Sequence, residues 1–122
     1  MAELGVHQDA RGIIRDLLAG PLDMVTEIRT TEGAVRGNHV HQRTAQWAYV
    51  VSGSLLVAWT EDDGVHTRVV GPGDLVHEPP GIPHAWKAAS DCVVLVFTRG
   101  PRSGQDYESD VTRLPENARL LT

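Results

Sequence analysis

The chain has 122 residues, with 11 Lys and Arg set against 16 Asp and Glu for a formal net charge of -5. This length suits one domain, since single hydrophobic cores commonly organise about 100–150 residues. The acidic balance speaks against nucleic acid as a partner, which requires clustered basic side chains, and no segment approaches the ~18 consecutive apolar residues of a membrane-spanning helix.

The opening MAELGVHQDARG has no basic start leading into an apolar core, so no secretory leader is expected. Cys92, the only cysteine, has no partner for an internal disulfide and reads as a small core residue in the run DCVVLVF. Both features point to a reducing, cytoplasmic setting. Residues 9–19, DARGIIRDLLA, place Ile13, Ile14, Leu17 and Leu18 at helical spacing behind a capping Asp9, and Gly20-Pro21 would stop the turn. That pattern predicts one short N-terminal helix.

From residue 24 the pattern changes to short segments rich in Val, Thr, Trp and Tyr, bounded by Gly, Pro, Asn or Asp. Eight strands are predicted: Met24–Thr30, Gly33–His41, Gln46–Ser52, Ser54–Thr60, His66–Val70, Asp74–Glu78, His84–Ala88 and Cys92–Thr98. Many short strands between turn residues imply a closed barrel or sandwich. Glu61-Asp62-Asp63-Gly64 marks a hairpin, because Asp-Gly tolerates the positive φ that tight turns require. After Gly100 the chain is polar and turn-rich, and is expected to pack outside the barrel without carrying chemistry. The whole then reads as one all-β domain with its core at about 24–99, an arm at 1–23 and a tail at 100–122.

Histidines carry the functional signal. Residues two apart on a strand project from one face about 6.5 Å apart, so His39 and His41 point the same way and can share an ion. His84 follows the rigid turn Pro79-Pro80-Gly81-Ile82-Pro83, which fixes its direction. Gln46 opens the next strand after His41 and can return to the same volume, as a ligand or as a hydrogen-bonding group that orients substrate. Alternation in GDLVHEPP, with Asp74 and Glu78 taken as solvent-facing, turns His77 inward as a fourth histidine ligand or a wall residue.

The spacing resembles the cupin superfamily, whose motifs are written G-x5-HxH-x3/4-E-x6-G and G-x5-PxG-x2-H-x3-N. The first is matched by Gly33, His39, His41, Gln46 and Gly53, the second by Gly73, Pro79, Gly81, His84 and Ala88. Gln46 stands where the family has its acidic ligand, and Ala88 where it has Asn. The resemblance implies a jelly-roll barrel holding one divalent metal ion on His39, His41 and His84; Gln46, at the acidic position, and His77, outside the motif, are the candidates for further ligands. A neutral ligand set leaves the ion its full charge and makes it a stronger Lewis acid, which suits zinc first, with nickel, cobalt, iron and manganese compatible.

Alternation also sends Ala48 and Val50 inward with Gln46, while Trp86 is the aromatic candidate for the cavity and Arg36 or Arg43 a candidate for an anionic substrate group. His77, His84 and Gln46 are the groups placed to handle a proton beside a small-molecule substrate. Two family branches are similar. Monodomain polyketide cyclases of bacterial aromatic pathways pair a histidine-rich zinc site with a hydrophobic cavity, and nucleotide-sugar ketoisomerases share the segment Arg36-Gly37-Asn38-His39-Val40-His41. The scarcity of basic residues favours the cyclase branch, because a nucleotide diphosphate wants several Arg or Lys. A non-catalytic metal- or ligand-binding cupin is the third reading. Apolar outer faces imply a homodimer.

Overall fold

The computed structural model describes residues 4–101 and 104–122. All eight predicted strands form: β3 (Met24–Thr30), β4 (Val35–His41), β5 (Ala45–Ser52), β6 (Leu55–Glu61), β7 (Gly64–Val70), β8 (Leu75–Glu78), β9 (His84–Ala88) and β10 (Cys92–Arg99). They follow β1 (Val6–Asp9) and β2 (Gly12–Arg15), and they precede α1 (Gly104–Asp110), β11 (Val111–Arg113) and a 3-10 turn at Glu116–Ala118. Among the described residues no helix is long and apolar enough to cross a membrane.

Two antiparallel sheets, ordered β3-β10-β5-β8 and β11-β4-β9-β6-β7, make the barrel. Their inner faces are the apolar halves of alternating strands. Ala48 and Val50 of β5 with Val94 and Val96 of β10 meet Leu55 and Val57 of β6 and Trp86 and Ala88 of β9 in one buried cluster. Each fully buried Val or Leu there is worth about 1.5–3 kcal/mol relative to exposure. This cluster fixes the spacing of the two sheets and so the width of the space beside it.

The N-terminal helix does not form; residues 6–15 are a β-hairpin with Asp9 opposite Gly12. Asp9 Oδ1 accepts the Arg11 backbone N–H at 2.9 Å, an aspartate turn that competes with helix initiation. Gly12 adopts φ 135°, which completes the reversal. Ile13 and Ile14 remain exposed, so no core contact is present to pull this segment into a helix.

The C-terminal segment is also more than an outer wrap. Its β11 extends a sheet by pairing with β4, with Val111 opposite His41 and Arg113 opposite His39. Asn38 clamps the last residues of the chain: its Oδ1 accepts the Leu120 N–H at 2.8 Å and its Nδ2 donates to the Leu121 carbonyl at 2.9 Å.

Candidate metal centre

Register and one irregularity in β4 assemble the histidines. Gly37 and Asn38 both have positive φ, 87° and 55°, and the β4–β9 pairing shifts between Gly37 and His39. A bulge of this kind re-aims the next side chain along the strand. A Cβ on residue 37 would lie 3.0 Å from the His84 carbonyl oxygen, so the close approach of β9 also calls for glycine. Beyond the bulge His39 stands directly opposite His84, with His41 two residues further on the same face.

The His39 and His84 Nε2 atoms are 3.1 Å apart, and one nitrogen from each of His39, His41 and His84 lies within 4.8 Å of the others. Two imidazole nitrogens at that separation need a proton or a cation between them. Burial, then the nearby His39 and His41 rings, push the His84 pKa down to about 3, so its ring is neutral. Convergent neutral imidazoles are the donor set of a divalent transition-metal site, and the residues fit such an ion.

Two of the rings are oriented from behind. His84 Nδ1 lies 3.3 Å from the Ile82 carbonyl, supplied by the proline turn. His41 Nδ1 lies 3.3 Å from Asp110 Oδ2 at the end of α1. A carboxylate or carbonyl on one ring nitrogen fixes the tautomer and leaves the other to bind. Burial would raise the Asp110 carboxyl, but hydrogen bonds from Thr44, the Arg43 backbone and side chain, and His41 outweigh it and hold it below its ordinary value. The polar composition of this tail predicts no chemistry in it, yet Asp110 is wholly buried against a candidate ligand.

Residues on β8 face opposite to expectation. Glu78 is 6% exposed and points inward, directly across from Gln46, whereas His77 lies on the outer face, stacked on Trp47 with ring centroids 4.8 Å apart. Arg99 covers that same indole at 4.9 Å. Taking Glu78 as solvent-facing fails because the interior offers its carboxylate donors: Gln46 Nε2 at 3.4 Å and Trp86 Nε1 at 3.1 Å, both to Oε1. Oε2 lies 3.1 Å from His84 Nε2 without a well-directed hydrogen bond. Burial pushes the Glu78 pKa up to about 8 against those two hydrogen bonds, so without a cation the contact with His84 joins two groups biased to their neutral forms.

The remaining candidates divide. Trp86 lines the space at the histidines, as expected. Ala48 and Val50 face inward but are sealed in the hydrophobic cluster, beneath the site rather than lining it. Arg43 points away from the cavity, bonded to Asp110 Oδ1 at 3.4 Å and Ser109 Oγ at 3.2 Å. It is Arg36 that borders the histidine cavity, its Nε donating to Thr30 Oγ1 at 2.9 Å. Gln46 is buried with its amide nitrogen, not its oxygen, directed at Glu78 and at His84 Nε2, each 3.4 Å away. Tyr107 of α1, which no sequence motif singles out, closes one side, 5.9 Å from the His41 ring.

Two cavities meet at His84. One of about 210 Å3 holds His39, His41, Gln46, Arg36 and Tyr107. The other, of about 420 Å3, is bordered by Val57, Trp59, Leu75, Val76 and Ile82 and reaches His77, Glu78 and His84, so His77 is a wall residue of this cavity and not a member of the histidine cluster.

Comparison with known proteins agrees with this architecture. Residues 27–98, more than half of the chain, match the cupin domain family. An oxalate decarboxylase of Arthroderma benhamiae is 36% identical over 91 residues, 72% of this chain and 21% of that protein. The chain thus spans about a fifth of the curated relatives it matches. Among solved structures, an epimerase of Mycobacterium tuberculosis superposes with a TM-score of 0.73 at 15% identity, covering 98% of this chain and 70% of that one. A sugar 3,4-ketoisomerase of Thermoanaerobacterium thermosaccharolyticum superposes with a TM-score of 0.69 at 17% identity, covering 94% and 87%. The motif spacing, the two-sheet barrel and the family match together show that the chain belongs to the cupin family.

Proposed function

We propose that this cupin is a metal-dependent enzyme that uses one divalent ion on His39, His41 and His84 as a Lewis acid towards the carbonyl or enolate oxygen of a small molecule. The observation that carries the reading is the approach of two imidazole nitrogens, His39 Nε2 and His84 Nε2, to 3.1 Å in a partly buried site. Zinc suits this donor set first, with nickel, cobalt, iron and manganese as alternatives. A bound ion would polarise a substrate oxygen. The chain's own part is to converge the imidazoles, exclude water, and receive the reacting oxygen beside His84, where the two cavities meet.

Cyclase or isomerase chemistry on a polyketide-like carbonyl compound draws support from the larger cavity. Its apolar border accommodates a hydrophobic body while the reacting oxygen reaches His84. Elemental analysis of purified protein together with substrate-class binding tests the reading: bound metal and tighter binding of aromatic ketones with the metal present are expected. Protein that takes up no divalent ion contradicts it.

A second reading, a small carboxylic acid as substrate, is favoured by Arg36 at the smaller cavity and by the name of the oxalate decarboxylase relatives. Tighter binding of oxalate than of any ketone, lost in Arg36→Ala, would select it. Exposed Val6, Ile13, Ile14 and Val25 support a homodimer, which light scattering on the purified chain checks.

A further inference from the structure

We infer that Glu78 supplies the carboxylate of the metal centre, moved by one strand from the position of the family motif that Gln46 occupies. The inference rests on the metal-centre reading above and adds the charged group which that reading lacked.

Four observations converge on it. Gln46 and Glu78 are directly opposed across the β5–β8 pair, so a side chain from either position projects from the same face at nearly the same height. Glu78 is only 6% exposed, and a carboxyl group so buried requires either neutralisation or a cation. Oε1 is tied down by Trp86 and Gln46, while Oε2 is 3.1 Å from the nitrogen of His84 that faces the other histidines. Among the described residues Oε2 has no hydrogen-bond partner. A buried acceptor left open beside His84, one of the three convergent imidazoles, is oriented as a group awaiting a positive charge.

The exchange also accounts for glutamine at position 46. Its amide nitrogen donates to Glu78 Oε1, which a glutamate there could not do, and two buried carboxylates across one strand pair would repel. Glutamine at 46 is therefore the complement of glutamate at 78: it positions the carboxylate, and Glu78 carries the charge.

The test compares Zn2+ affinity, by competition with a chelator of known affinity, in the full chain and in His39→Ala, Glu78→Gln and the exchange variant Gln46→Glu with Glu78→Gln, with melting temperatures of the metal-free proteins alongside. Glu78→Gln, which keeps the side-chain shape, is expected to weaken Zn2+ binding by more than about 100-fold, beyond the range of an outer hydrogen-bonding partner. Its metal-free melting temperature should stay close to the parent's, because glutamine keeps the side-chain shape and an acceptor for Gln46 and Trp86. The exchange variant should recover most of the affinity. Wild-type affinity in Glu78→Gln overturns the inference, as does failure of a folded exchange variant to recover. A His39→Ala protein that binds Zn2+ as well as the parent contradicts the metal-centre reading itself, a result distinguishable from the other two.

Discussion

Strand β4 carries two histidines and β8 one, yet only β4 delivers its own to the cluster with His84, while His77 stays at the wall of the larger cavity. On β4, His39 and His41 are separated by one residue and lie next to β9, so the pleat sends both into the barrel and the register places His84 against them. On β8, a four-residue strand at a sheet edge, His77 falls outside on Trp47 and Glu78 falls inside. The difference shows that spacing between two like residues fixes a shared face, whereas the charge of a single residue does not fix which face is outside. Donors on the neighbouring strands decide that.

The sharpest way to break the contrast is to truncate one histidine on each strand. His39→Ala should reduce divalent-metal affinity well beyond the roughly 10–100-fold typical of an outer hydrogen-bonding partner, as measured by chelator competition. His77→Ala should leave that affinity within about twofold. It should cost under about 1 kcal/mol of stability through loss of the stacked ring on Trp47, read from chemical denaturation.

The next largest effect belongs to Asp110, which links the C-terminal segment to β4. Asp110→Asn should weaken metal binding roughly 10-fold by loosening His41. It should also lower stability by about 1–3 kcal/mol, because the charge that accepts the Arg43 N–H and faces His41 is lost. Metal affinity and denaturation midpoint together separate the two effects.

The smallest effect lies far from either strand's role. His66 in the β6–β7 hairpin has its pKa raised, chiefly by its hydrogen bond to Asp63 at 2.6 Å. A histidine whose folded pKa exceeds its unfolded value near 6.5 stabilises fully below that value and loses the contribution as pH rises through the folded pKa. The melting temperature of His66→Gln should therefore fall slightly below that of the parent at pH 5.5 and match it at pH 9. Equal curves at both pH values would remove any role for the Asp63 contact.

Much of this molecule is legible in its sequence, for identifiable reasons. Strand positions from Met24 to Thr98 track β-branched runs between turn residues, and His39, His41 and His84 are marked by a two-residue spacing and a proline-stiffened turn. The features that escape are set by tertiary contacts or by local competition. The hairpin at residues 6–15 turns on a local Asp9 hydrogen bond that competes with a helical pattern. The inward orientation of Glu78 depends on Trp86 and Gln46, each from a different strand. Asp110 meets His41 across 69 positions of sequence, and nothing near residue 110 announces a partner that distant. Glu78 is the recoverable one: once Gln46 is placed inside, antiparallel pairing of β5 with β8 puts the residue opposite it on the same face.

The most direct test of the metal centre is a Co2+ titration of the chelator-stripped protein, monitored by visible absorption. A site of three imidazoles should develop ligand-field bands that saturate at about one equivalent per chain, and His84→Ala should not develop them. A spectrum indistinguishable from aqueous Co2+ in the parent, or the same bands in His84→Ala, would contradict a metal held by His39, His41 and His84.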